Sequence, residues 1–402
     1  MVCPTFLSLQ EIIKFAHLKA LKSSPPDKKL KIGIVCYPSI GGSGIVATNL
    51  GNQLAKLGHK IHFISYEKPF RINLKDKNIR HHRVEVNEYQ IFRYPDYTLP
   101  LAEKIGTVNN KYGLDILHVH YAVPHATAAL LAKNIAANCR QKFPCVITTL
   151  HGTDITLLAR DPNLDSIIKY SIEDSAGVTA VSQSLKKDTL KVLKTEKPIE
   201  VIYNSYQPEK ITVSREKIRK TLKLDSKDFL AIHSSNLRQV KRIPDLLKIF
   251  AKTGPRIKLL VLAGGDFSPF LPLVKKLKIG HKLRIVPNVS DIQNFINAAD
   301  VGVYTSEKES FGMGILETMF YKKPIIAARA GGIPEVVEHK KTGILLPMGD
   351  IAGFARQINL LAANPKLAGT FGQAGFMRAQ TLFSNEKIMS EYLGYYQKIL
   401  GC

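Results

Sequence analysis

The sequence contains no tryptophan and only five cysteines, Cys3, Cys36, Cys139, Cys145 and Cys402. Their odd number and unpaired spacing exclude a disulfide framework and fit reduced thiols, as in a cytoplasmic protein. No apolar run reaches the ~20 residues that a membrane-crossing helix needs. The first segment, Phe6 to Leu21, is interrupted by Glu11, Lys14 and Lys19, so it lacks the apolar block of a secretory signal. It reads as an amphipathic helix leading into a Ser23-Ser24-Pro25-Pro26 linker, and residues 1–29 as an N-terminal extension. Acidic residues are scarce, 33 against 57 Lys and Arg, which leaves a net charge of +24. That excess admits nucleic acid, an anionic membrane surface, small polyanionic substrates or simply solvated helix faces. Arginine-rich runs, RNP-like aromatic motifs and Cys/His finger spacings are all missing, so nucleic acid is not the expected partner. No repeat of 20–50 residues points to a solenoid.

What is present is a chain of 402 residues with 45% hydrophobic and 22% charged composition, enough for two or three globular domains. From Leu30 onward, short apolar runs alternate with longer amphipathic stretches, the pattern of parallel strands joined by crossover helices. Strands are predicted at Lys31 to Tyr37, Lys60 to Ser65, Ile116 to His120, Val146 to Leu150, Val178 to Val181 and Glu200 to Tyr203. A polar stretch from Asn204 to Arg215 breaks the series. A second series runs through Leu230 to Ser234, Lys258 to Ala263, Leu283 to Pro287, Val301 to Tyr304 and Pro324 to Ala328. The expected fold is α/β, two Rossmann-like doubly wound domains with a cleft between them. The boundaries read as 30–205 and 206–384, with a helix at about 385–402 rejoining the first domain.

Several strand ends carry candidate chemistry. Gly41-Gly42-Ser43-Gly44 opens a helix, Ile45 to Leu57, whose free N–H groups suit an anion, although a ligand-free tight turn fits as well. Alternation puts His118 and His120 of His118-Val119-His120-Tyr121 on one face; with His151 they could be substrate contacts, a buried polar layer or metal ligands. No HExxH, CxxC or carboxylate triad accompanies them. In Leu150-His151-Gly152-Thr153-Asp154, the acid is either a base or a helix cap. Arg238, Lys241 and Arg242 are expected to converge at the start of a helix near Pro244, where a phosphate is the natural guest. Glu309 and Glu317 stand eight positions apart across the turn Ser310-Phe311-Gly312, so that one carboxylate could hold a ribose and the other a hexose. Ala330-Gly331-Gly332-Ile333-Pro334-Glu335 is another strand-to-helix turn, structural or ligand-binding.

Taken together, these motifs resemble the retaining glycosyltransferases of GT-B fold, the large family-four group that uses nucleotide sugars. The resemblance extends from Lys31 to the end. Cys36-Tyr37-Pro38-Ser39-Ile40-Gly41-Gly42-Ser43-Gly44, His118 to Tyr121, Leu150 to Asp154 and Glu307 to Gly312 are similar to the members of that group acting in bacillithiol synthesis. The resemblance implies transfer of N-acetylglucosamine from UDP-N-acetylglucosamine (UDP-GlcNAc) to the hydroxyl of L-malate with retention, and no required cofactor or metal. It implies a donor site of Gly42, Asn204, Arg238, Lys241, Glu309, Ser310, Phe311, Gly312 and Glu317. Arg238 and Lys241 would hold the diphosphate, Glu317 the ribose and Glu309 the hexose, with His151 near the reacting carbon. Ser43, Tyr121, Thr149, His151 and, as the cation for malate, Arg71 would form the acceptor side. His151, Glu309, Arg238 and Lys241 are the expected catalytic set. A homo-oligomer is compatible with this reading. The alternative is a related transferase with a lipid or polysaccharide acceptor, drawn to the membrane by its positive charge. One departure stands out: Gly314 replaces a bulkier residue.

Overall fold

The computed structural model describes residues 28–39, 41–86 and 97–401. The helix and linker expected before residue 28 lie outside the described residues. The first lobe is a seven-stranded parallel sheet: β1 (Lys31–Val35), β2 (Lys60–Ser65), β3 (Ile79–Arg83), β4 (Ile116–His120), β5 (Cys145–Leu150), β6 (Gly177–Ala180) and β7 (Ile199–Val201), in the order β3-β2-β1-β4-β5-β6-β7. The second holds six: β8 (Phe229–Ser235), β9 (Ile257–Ala263), β10 (Leu283–Pro287), β11 (Val301–Tyr304), β12 (Ile325–Ala328) and β13 (Gly343–Leu346), in the order β10-β9-β8-β11-β12-β13.

Central strands such as Ile32 to Val35 and Leu259 to Ala263 are buried along their whole length, because helices cover both faces of a parallel sheet. That is why they read as unbroken apolar runs. Two strands escape the sequence reading, and both lie at sheet edges. β3, Ile-Arg-His-His-Arg, is half exposed and carries the charges by which an edge strand resists further pairing. β13 spans only four residues after a turn. The first helix also starts earlier than expected, at Gly42 rather than Ile45, since the glycines adopt its opening turn. The strand at Lys31 stops at Val35, leaving Cys36 and Tyr37 to turn toward the helix.

No helix or strand lies between Val201 and Arg215. The final helix, Asn385–Leu400, is capped by Ser384, whose hydroxyl accepts from the Lys387 amide. Its inner face, Ile388, Met389, Tyr392, Tyr395 and Tyr396, packs into one core with Ile32, Ile34, Ile61 and Phe63 of the first sheet. A second shared core joins the lobes, with Leu150, Ile155 and Val178 packed with Phe311, Ile315, Leu316 and Met319. No helix among the described residues is long and apolar enough to cross a membrane.

The Tyr396 ring is fully buried, and its hydroxyl lies 2.7 Å from His118 Nδ1. Tyr396→Ala is expected to cost about 3–5 kcal/mol by leaving a cavity under the first sheet. Guanidinium unfolding of the full chain, with and without the substitution, measures this.

Candidate active site

Open parallel sheets bind ligands beyond the carboxyl ends of their strands, where the strand order reverses. In the first lobe that point lies between β1 and β4, and in the second between β8 and β11. The lobes turn these ends toward each other. A methyl group on Gly152 would sit 1.7 Å from Ser310 Oγ, and one on Gly42 would be 3.9 Å from Met313. Gly152 also has φ +114, a backbone that favours glycine.

On the first-lobe side, Gly42 begins a helix with no side-chain cap, so its opening amides remain available. Tyr121 donates to Ser43 Oγ at 2.8 Å, joining two of the expected acceptor-side residues. His151 is half-buried beside the Tyr121 ring, and its Nε2 is 2.8 Å from His120 Nδ1. Thr149 is placed differently from expectation. It is fully buried, with its hydroxyl 2.6 Å from both His118 Nε2 and Thr179 Oγ1. Strand alternation turns it inward, so it supports the histidines from beneath rather than lining the cleft. Asp154 resolves as a turn-former: its carboxylate accepts from the Gly152 amide at 2.9 Å and the Ala122 amide at 3.4 Å, and burial pushes it up to about 6.

Across the cleft, the three cations expected to converge at one helix start are divided. Lys241 Nζ lies 2.5 Å from Glu309 Oε2, and both side chains are mostly covered. Arg242 turns away to Asp245 and Glu307. Arg238 is exposed, and among the described residues its one hydrogen bond is a long 3.4 Å one to Asn236. A left-handed backbone at Arg242, φ 53, redirects its side chain. Ser310 faces Gly152, whereas Phe311 buries its ring against Tyr203 and Phe383 and can offer a ligand only its backbone. Gly312, at φ +102, caps the helix Met313–Phe320. Asn204 is buried, and its side-chain oxygen has no partner among the described residues. Arg71 does not stand free: it pairs with Glu209 at 3.0 Å and donates to the Ser290 carbonyl at 3.1 Å, so it ties the first lobe to the second. It lines a cavity of about 540 Å³ together with Asn49, Gln53, Gln207 and Met313.

The Ala330 to Glu335 turn is structural. The Glu309 carbonyl accepts from the Gly332 amide at 2.8 Å, and any side chain at Gly331 would collide with that carbonyl. The turn thereby seats the loop that carries Glu309. Glu335 was not among the expected site residues. Its carboxylate accepts from the Gln183 and Ser184 amides at 2.8 and 2.9 Å, capping a first-lobe helix from the second lobe. Only tertiary contact reveals that role. Among the described residues, no group of three or more His, Cys, Asp and Glu is arranged to hold a metal.

Burial pushes the Glu317 carboxyl up to about 7, against the pull of nearby Arg71. In the folded protein it therefore holds a proton that the unfolded chain releases above its ordinary value of 4.5. The unfolded state binds fewer protons between pH 4.5 and about 7, so this group's contribution to stability falls as pH rises through that window. Glu317→Gln is expected to flatten that part of the stability profile, which melting curves at pH 5 and pH 7.5 measure.

Residues 40–210 match the family Glycosyltransferase Family 4, and residues 214–378 match Glycosyl transferases group 1. The chain is 43% identical over 377 residues to an N-acetyl-alpha-D-glucosaminyl L-malate synthase of Bacillus anthracis, covering 92% of this chain and 98% of the relative. It is 26% identical, over 81% of this chain and 92% of the relative, to the capsular polysaccharide biosynthesis glycosyltransferase CapM of Staphylococcus aureus. Anabaena HepE, crystallised with UDP and glucose, has the same fold: its TM-score is 0.76 at 18% identity, covering 92% of this chain and 99% of that one. A glycosyltransferase from Rickettsia africae is similar, with a TM-score of 0.78 at 23% identity, covering 93% of this chain and 99% of that one. With two facing parallel-sheet lobes and a relative of that identity along nearly its whole length, the chain belongs to the GT-B glycosyltransferases of family four and is a glycosyltransferase.

Proposed function

We infer that this enzyme transfers N-acetylglucosamine from UDP-GlcNAc to the hydroxyl of L-malate with retention, the first step of bacillithiol synthesis. The observation that carries this reading is the 43% identity over 98% of a relative named for that product. In this reading the chain divides at about residue 205. Residues 30–205, with the helix from 385, take the acceptor, and 206–384 take the nucleotide sugar.

The chemistry asked of the site is separation of charge. As the bond from the sugar carbon to the diphosphate breaks, positive charge grows on the ring and negative charge on departing UDP. Groups that bind the charged transition state better than the ground state lower the barrier. Lys241 and the exposed Arg238 meet the diphosphate, together with the uncapped amides at Gly42. Glu309, seated by the Gly331-Gly332 turn, orients hexose hydroxyls and keeps Lys241 directed into the cleft. Glu317 takes the ribose, with Asn204, Ser310 and the Phe311 and Gly312 backbone completing the donor side. Ser43 and Tyr121 face the acceptor, and Arg71 can take a malate carboxylate only by exchanging it for Glu209. No carboxylate nucleophile is needed. The malate oxygen attacks the face that UDP leaves, its proton passes to the departing phosphate oxygen, and configuration is kept.

Incubating the pure enzyme with UDP-GlcNAc and a panel of hydroxy acids is expected to release UDP with malate. Release only with a lipid acceptor would replace malate with a membrane substrate. Glu309→Ala and Lys241→Ala are expected to lower kcat by about 10²–10³-fold, in the range seen when a transition-state charge partner is removed. Glu309→Ala should still bind UDP, which titration calorimetry measures.

A further inference from the structure

Three imidazoles stack in a column that runs from the first-lobe core to the cleft. The ring centres of His118 and His120 are 4.7 Å apart, those of His120 and His151 5.0 Å, and both pairs are inclined by only about 20° (20° and 23°). The base of the column is fixed on both sides: His118 Nδ1 meets the Tyr396 hydroxyl at 2.7 Å and its Nε2 meets Thr149 at 2.6 Å. His120 stacks on that anchored ring, and His151 stacks on His120. At the top, His120 Nδ1 and His151 Nε2 are 2.8 Å apart. His120 Nε2 is sealed from solvent and has no partner among the described residues.

Burial, reinforced by the neighbouring imidazoles, pushes all three rings far below the usual histidine range, to about 3 for His118 and His151. All three are therefore neutral near pH 7. In a bond between two neutral imidazoles one nitrogen donates and the other accepts. Were His151 the donor, His120 would carry its proton on Nε2, an unpaired N–H in the core. Buried N–H groups without a partner are rare because the full desolvation cost stays uncompensated. The other arrangement leaves only a bare lone pair there. It also consumes His151 Nε2 as an acceptor, so the proton of that ring must sit on Nδ1.

We propose that His120 is a positioning residue for sugar transfer: it donates to His151 Nε2 and so holds His151 as an Nδ1–H donor aimed at a sugar or acceptor oxygen in the cleft. Backbone placement alone does not impose this, because a free ring could turn over or exchange tautomers. The His118–Tyr396 anchor extends the constraint to the C-terminal helix. The inference deepens the proposed reaction and rests on that reading for the identity of the oxygen His151 meets.

Histidine side-chain ¹⁵N spectra of the full-length enzyme test it directly. The expected result is a neutral His151 protonated on Nδ1, with His120→Leu shifting that ring toward the Nε2–H form. Turnover of UDP-GlcNAc with malate should fall about tenfold or more in kcat for His120→Leu, while the donor KM stays within about threefold. His120→Asn, whose amide can supply the lost N–H, should restore most of the rate. A wild-type His151 protonated on Nε2, or an unchanged kcat in a folded His120→Leu enzyme, overturns the proposal. If the leucine variant does not fold, the wild-type spectrum and the asparagine variant still decide. Absence of malate-dependent turnover in the wild type would instead refute the proposed reaction, while the spectrum would still report the tautomer.

Discussion

The seam of apolar side chains between the lobes sets the geometry of everything above it. Leu150, Ile155 and Val178 share one buried cluster with Phe311, Ile315, Leu316 and Met319. Burying apolar side chains of this size is worth roughly 1.5–3 kcal/mol each, far more than any exposed ion pair in the cleft. The polar contacts above the seam therefore select an arrangement rather than create it. Gly152 against Ser310 sets how closely the loops approach, and Glu335 on the Gln183 and Ser184 amides fixes the angle at which one lobe meets the other.

On that frame the cleft brings opposite chemistries face to face. The first lobe offers neutral groups: an uncapped helix start, a serine and tyrosine pair, and an imidazole held uncharged by burial. The second offers charge, Lys241 matched against Glu309, with Arg238 exposed and bonded to Asn236. This division follows from where glycine turns let backbone amides reach the surface and where the long cationic side chains stand. The overall charge of +24 does not itself create the site, since much of it is dispersed over exposed helix faces.

The same division explains how the relatives can differ. Proteins of this fold with identities below 25% keep the two-sheet frame, including one crystallised with UDP and glucose. What they share is the scaffold of strand ends. Loops after strand ends can vary without disturbing the sheets that carry them.

The sequence by itself determined the sheets, the switch points and the spacing of the charged residues. Buried parallel strands must be apolar throughout and a tight strand-to-helix turn favours glycine, so these features follow from local chemistry. The polar edge strand β3 and the short β13 escaped because edges lack that burial. Only the tertiary structure decided which groups are free to act. It withdrew Thr149 beneath the histidines, tied Arg71 to Glu209, turned Arg242 from the cleft, and made Glu335 a bridge between lobes. It also stacked His118, His120 and His151 into one column. The reason is physical: a hydrogen-bond partner far away in sequence is chosen by packing, and packing between β5 and the last helix is not encoded in either segment alone.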